Sequence, residues 1–79
     1  MHKIYILESL KDGSLYTGMT EDLVERLKAH NSGMSKYSST KRPLKIAWYC
    51  VFKDKTKALH FEKYLKQGSG FAFARKHLI

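Results

Sequence analysis

The chain has 79 residues and a mass of 9.2 kDa, enough for one small domain and too little for a second core. Hydrophobic residues make up 43% and charged residues 28%, a globular composition that argues against a disordered tail or a fibrous repeat. Fifteen Lys and Arg against seven Asp and Glu leave a net charge of +8, which predicts attraction to nucleic acid or to an anionic membrane surface. The charge is segregated: residues 1 to 34 hold four basic and five acidic side chains, residues 35 to 79 eleven and two. The single cysteine, Cys50, forms no internal disulfide and suggests no zinc site. The apolar stretch Ile4 to Leu7 is too short for a signal-peptide core, and no run approaches a membrane span. A soluble, cytoplasmic protein with no membrane partner is expected.

Residues 3 to 9 and 15 to 19 are short runs rich in β-branched and aromatic types, separated by Lys11-Asp12-Gly13-Ser14, a hairpin signal. Thr20 suits the cap of a helix over about 21 to 31, with Glu21 and Asp22 at the positive end of its dipole and Asn31-Ser32-Gly33 as its stop. A Ser, Lys and Gly-rich loop follows from Gly33 to Pro43. Leu44, Ile46, Trp48, Cys50 and Phe52 then alternate through a third strand, expected to be the longest, most buried and central. Asp54 caps a second helix reaching about Lys66, Gly68-Ser69-Gly70 breaks it, and residues 71 to 79 form a short amphipathic helix. The reading is one α+β domain over residues 1 to 79, a small three-stranded antiparallel sheet flanked by helices in the order β-β-α-β-α-α.

Three features depart from simple amphipathic patterning. Ala58, Leu59 and Leu65 lie three and four positions from Glu62, so a carboxylate sits on an apolar face, where it needs a cation: a Lys or Arg partner at the core edge, or a divalent metal. In the first helix Leu23, Leu27 and His30 follow one stripe, and Arg26 lies four residues before His30. Taken alone the pair reads as a half-buried histidine beside a surface arginine, and it gains a catalytic reading only if a third element faces them. An even turn centred on Asp12-Gly13 pairs residues whose numbers sum to 25, placing Tyr5 opposite Thr20 and Leu7 opposite Gly18. Tyr5 and Tyr16 then share a face across side-chain-free Gly18, but four residues apart along the ladder, about 13 Å.

At these positions the sequence resembles the GIY-YIG nucleases, specifically their small, stand-alone, single-domain bacterial members. Lys3-Ile4-Tyr5 stands where the first signature triplet falls and Tyr16-Thr17-Gly18 where the second does; Arg26 to His30 matches the Arg-x3-His helix, and Phe61-Glu62-Lys63 carries the late glutamate. The first triplet has Lys3 in place of glycine, and the second has Thr17 in place of an aliphatic residue. Asn31, the only Asn, does not match the one many members carry near the domain end. The resemblance implies hydrolysis of nucleic-acid phosphodiesters with one divalent cation, Mg²⁺ or Mn²⁺. It implies Glu62 as metal ligand, Arg26 as phosphate clamp, Tyr5 and Tyr16 on the nucleophile side, and His30 as relay or alternative base. Arg26 and the metal are the groups expected to lower a tyrosine pKa.

For nucleic acid, DNA ahead of RNA, the expected contacts are Lys36, Tyr37, Lys41 and Arg42 in the basic loop. Trp48, Tyr49 and Phe52 are expected in the core. The protein is expected to act as a monomer, with specificity supplied by a partner protein. The competing function is a catalytically weak or inactive DNA- or RNA-binding module using the basic C-terminal two-thirds.

Overall fold

A computed structural model describes residues 1–33 and 38–79. Its elements are β1 (His2–Ser9), β2 (Leu15–Thr20), α1 (Leu23–Asn31), the single turn α2 (Ser38–Lys41), β3 (Leu44–Phe52), α3 (Lys55–Lys66) and α4 (Gly68–His77). The α+β class and the order of the main elements are as expected from the sequence; α2 adds a turn inside the expected loop.

The sheet is antiparallel throughout, in the order β2-β1-β3. β1, not β3, is therefore central, and it is buried on both faces. Ile4 and Ile6 pack with Ala58 and Leu65 of α3 and Ala74 of α4, while Tyr5 and Leu7 pack with Leu23 of α1 and with Leu44. One alternating run thus serves two cores, because successive strand side chains point to opposite faces. β3 is the longest strand but lies at an edge, and Tyr49 and Val51 are exposed. Its alternation is split by a register shift opposite Ile6 and Leu7. The extra residue, Ala47, flips the parity, so Trp48, Cys50 and Phe52 face α3 and α4 while Leu44 and Ile46 face α1. Phe61 completes the aromatic layer, its ring centroid 6.1 Å from Trp48 and 5.6 Å from Phe52. Trp48 and Phe52 are core residues as expected, and Tyr49 is not.

The hairpin departs from a two-residue turn. Ser9 N donates to Ser14 O at 2.9 Å and Gly13 N to Ser9 O at 2.8 Å, with Gly13 at φ +75°. The Ser9 hydroxyl accepts from the amides of Lys11 and Asp12, and Asp12 Oδ1 accepts from Ser14 N. These side-chain bonds hold a four-residue loop over Leu10 to Gly13, so paired residues sum to 23 instead of 25: Tyr5 faces Gly18 and Leu7 faces Tyr16.

Helix boundaries follow their caps. Asp22, not Thr20, accepts from Glu25 N at 3.0 Å, while Thr20 Oγ1 accepts from Asp22 N, so α1 starts two residues later than expected. Asn31 clamps the start of β3, accepting from Leu44 N at 2.8 Å and donating to Leu44 O at 3.1 Å. Asp54 caps α3 as expected. Gly68-Ser69-Gly70 is not a break: α4 begins at Gly68, and the chain turns at Gln67. Gly70 is buried where α4 crosses the last turn of α3; a Cβ there would lie 1.6 Å from the Tyr64 carbonyl oxygen. Among the described residues no helix is long and apolar enough to cross a membrane.

Candidate active site

The sheet and two helices bring the expected residues to one region. α1 runs back along the sheet from Thr20, which puts Arg26 near its first turn and His30 near its last; α3 carries Glu62 in its second turn. With the register shortened by two, Tyr5 and Tyr16 are diagonal neighbours instead of four residues apart. Their ring centroids lie 6.3 Å apart, and the His30 ring completes the cluster at 6.1 Å from Tyr5 and 5.1 Å from Tyr16. The Tyr5 hydroxyl lies 3.3 Å from His30 Nε2. Both groups are buried, Tyr5 at 1% exposure and His30 at 2%.

Gly18 makes this placement possible. A Cβ at residue 18 would lie 2.4 Å from the Tyr5 hydroxyl oxygen and 2.6 Å from Cζ, so the phenol occupies space that any side chain would claim. Gly18→Ala is expected to push the Tyr5 ring off His30 and, as an overpacked core contact, to cost about 1–3 kcal/mol. Chemical denaturation checks the stability, and loss of the His30 ring-current shifts from Tyr5 in proton NMR checks the displacement. A wild-type spectrum at residue 30 would remove the positioning role.

Burial sets the electrostatics. The Tyr5 phenol is pushed up to about 12, first by desolvation, then by Tyr16 and Glu62, with Arg26 pulling the other way. Arg26 thus acts in the expected direction but is outweighed by burial. His30 is held below its ordinary value by desolvation and then by the Arg26 guanidinium; its imidazole is neutral at pH 7. Arg26 itself is exposed. Glu62 is mostly buried, its side chain 17% exposed, and Lys66 Nζ stands 3.2 Å from Oε2. The carboxylate on the apolar face therefore has a cation one turn away, the Lys partner at the core edge that the sequence allowed, at i,i+4 spacing.

Among the described residues no three His, Cys, Asp or Glu side chains cluster as a metal cage. A divalent ion held largely by water and a substrate phosphate needs only one or two protein carboxylates. Glu62 is a carboxylate of that kind, ion-paired with a half-exposed lysine.

Of the expected nucleic-acid residues, Lys41 and Arg42 lie among the described ones. Lys41 is ion-paired with Asp12, and its carbonyl accepts from the Ser9 hydroxyl at 2.7 Å, so it braces the hairpin loop. Arg42 is exposed, its guanidinium against Gly33. Lys36 and Tyr37 lie outside the described residues.

Comparison with known proteins agrees with this architecture. The sequence model of the GIY-YIG catalytic domain matches residues 1–75. A UPF0213 protein of Clostridium perfringens is 43% identical over 68 residues, covering 85% of this chain and 72% of the relative. The UPF0213 protein YazA of Bacillus subtilis is 37% identical over 67 residues, covering 84% and 67%. The solution NMR structure of a UPF0213 protein from Bacillus halodurans superposes with a TM-score of 0.59 at 33% identity, over 98% of this chain and 85% of that one. With its two tyrosine triplets on paired strands and its Arg and His on the helix that follows them, this chain belongs to the GIY-YIG catalytic-domain family, a family of nucleases.

Proposed function

We propose that this domain is a divalent-metal-dependent endonuclease that hydrolyses phosphodiester bonds in DNA. The observation that carries the reading is the Tyr5 hydroxyl, 3.3 Å from His30 Nε2 and under the opposed charges of Arg26 and Glu62. A phenol raised to about 12 is a poor base at pH 7, whereas a neutral imidazole is a good one. Tyr5 therefore works as a relay: its oxygen takes a proton from the attacking water while its own proton passes to His30 Nε2. Tyr16 packs against the His30 ring at a tilt of 59° and holds it against Tyr5. Arg26, exposed on α1, grips the phosphoryl oxygens through two parallel N–H donors, a contact that strengthens as their charge grows. Glu62 is the carboxylate that would hold Mg²⁺ or Mn²⁺, exchanging its pairing with Lys66 for the ion. The cation, when bound, supplies Lewis-acid stabilisation of the phosphorane-like charge.

Plasmid, branched and single-stranded DNA incubated with Mg²⁺ or Mn²⁺ test the reading. The expected result is cleavage of at least one of them that EDTA stops and Glu62→Ala abolishes. DNA left intact by the wild-type protein with both ions, with binding retained, would instead identify an inactive binding module; RNA in the same assay identifies the polymer.

A further inference from the structure

Two depressions flank Arg26, and their charges differ. One, of about 350 Å³, is lined by Thr20, Asp22, Glu25, Arg26 and Ala29, two carboxylates against one guanidinium. The other, of about 330 Å³, is lined by His2, Met19, Thr20, Glu21, Arg26 and Lys55. At its rim the Lys3 ammonium donates to the Glu21 carbonyl at 3.0 Å, and the first turn of α3, which starts at Lys55, contains no acidic residue. Asp54, the sequence neighbour of Lys55, accepts from the amides of Thr56 and Lys57 as the helix cap. Three cations and an imidazole from β1, α1 and α3 thus meet one glutamate.

We propose that the His2, Lys3 and Lys55 side of Arg26 binds the DNA backbone phosphate next to the one Arg26 holds, and so directs the strand across this end of the sheet toward α3. The polyanion avoids the other side, where Asp22 and Glu25 repel it. The site is separate from the Lys41–Asp12 ion pair, which lies at the Ser9 end of β1, seven residues or about 23 Å from His2. Sequence concealed the site by scattering it over residues 2, 3, 26 and 55, each of them an ordinary surface residue taken singly.

The inference rests on the nuclease reading for the phosphate held by Arg26, and binding and cleavage are measured separately so that the two can fail apart. Anisotropy of a fluorescein-labelled DNA duplex in EDTA across a salt series is compared for wild type, Lys55→Ala and Lys76→Ala, the last a charge-matched change on the exposed face of α4. Lys55→Ala is expected to make the log-log salt slope shallower by about 0.9, the signature of one lost phosphate contact, and Lys76→Ala to keep the wild-type slope. An unchanged slope for Lys55→Ala, or equal losses in both variants, overturns the subsite even if wild-type protein cleaves DNA. A slope lost only in Lys55→Ala upholds the subsite even if no DNA is cut. Absence of duplex binding by the wild-type protein overturns the subsite and leaves the nuclease reading to the cleavage assay.

Discussion

Tyr5→Phe is expected to lower DNA cleavage by roughly 10²- to 10⁴-fold, the range contributed by positioned proton transfer, while the domain stays folded. The ring of Tyr5 fills the α1-side core, and Phe keeps that volume; only the hydroxyl facing His30 is lost. His30→Gln is expected to lose a similar factor, because it removes the group that accepts the proton. Since burial and Arg26 hold His30 below its ordinary value, the acid limb of the pH–rate profile should fall below about pH 6.5, and it should disappear from the residual activity of His30→Gln. A Tyr5→Phe enzyme cutting within threefold of the wild-type rate would remove Tyr5 from the relay.

Both groups also couple folding to pH, with opposite signs. In the unfolded chain His30 gains its proton near pH 6.5, and in the folded domain only at lower pH. Its contribution is therefore complete above about 6.5 and is lost as pH falls toward the folded-state value. Tyr5 titrates near 10 when unfolded and at about 12 when folded. Its contribution is present below about 10 and is lost as pH rises from there. Absorbance at 295 nm follows the five tyrosines; the transition at about 12 should be missing from Tyr5→Phe.

Gly70→Ala carries the largest expected stability loss. Its Cβ would meet the Tyr64 carbonyl oxygen at 1.6 Å and the Tyr64 carbonyl carbon at 2.4 Å. Backbone faces backbone there, so no side-chain rotation relieves the clash, and α4 must lift away from α3. Ala74, buried against Ile4, Ile6, Ala58 and Leu65, goes with it. The cost is expected to be at least about 3 kcal/mol, the upper end for overpacking, or a fall in Tm of roughly 12–24 °C for a domain of this size. Gly68→Ala is the control: nothing lies within 4 Å of its Cβ, and Ala is the better helix former, so Tm should hold or rise. Equal melting temperatures for the two variants would show that α4 does not pack on Tyr64 as described.

The elements were legible because each carries a local signal. Asp54 announces α3, the alternation of Ile4 to Leu7 announces β1, and Gly13 announces the turn. Where the reading went astray, a local signal met a non-local competitor. The Ser9 hydroxyl captured two loop amides and lengthened the hairpin loop. Ala47 formed a bulge that divides an apparently uniform apolar face between two cores. Gly70, read as a helix breaker, is an interhelical contact, and a contact has no signature in the spacing of one helix.

The candidate site divides along the same line. Residue types and spacing, read with the family resemblance, were enough to name Tyr5, Tyr16, Arg26, His30 and Glu62 and to place the two tyrosines on one sheet face, since a register error of two residues preserves strand parity. Whether their hydroxyls lay far apart or close, which group is raised and which lowered, and where the open positive charge lies were decided by tertiary structure alone. Distance across a sheet depends on register, pKa depends on burial and on neighbours from other elements, and an exposed lysine counts toward a polyanion site only if no carboxylate has folded against it. The chain's charge of +8 is a property of its composition; the loss of Lys41 to Asp12 and the gathering of Lys3, Arg26 and Lys55 at one end of the sheet are properties of the fold.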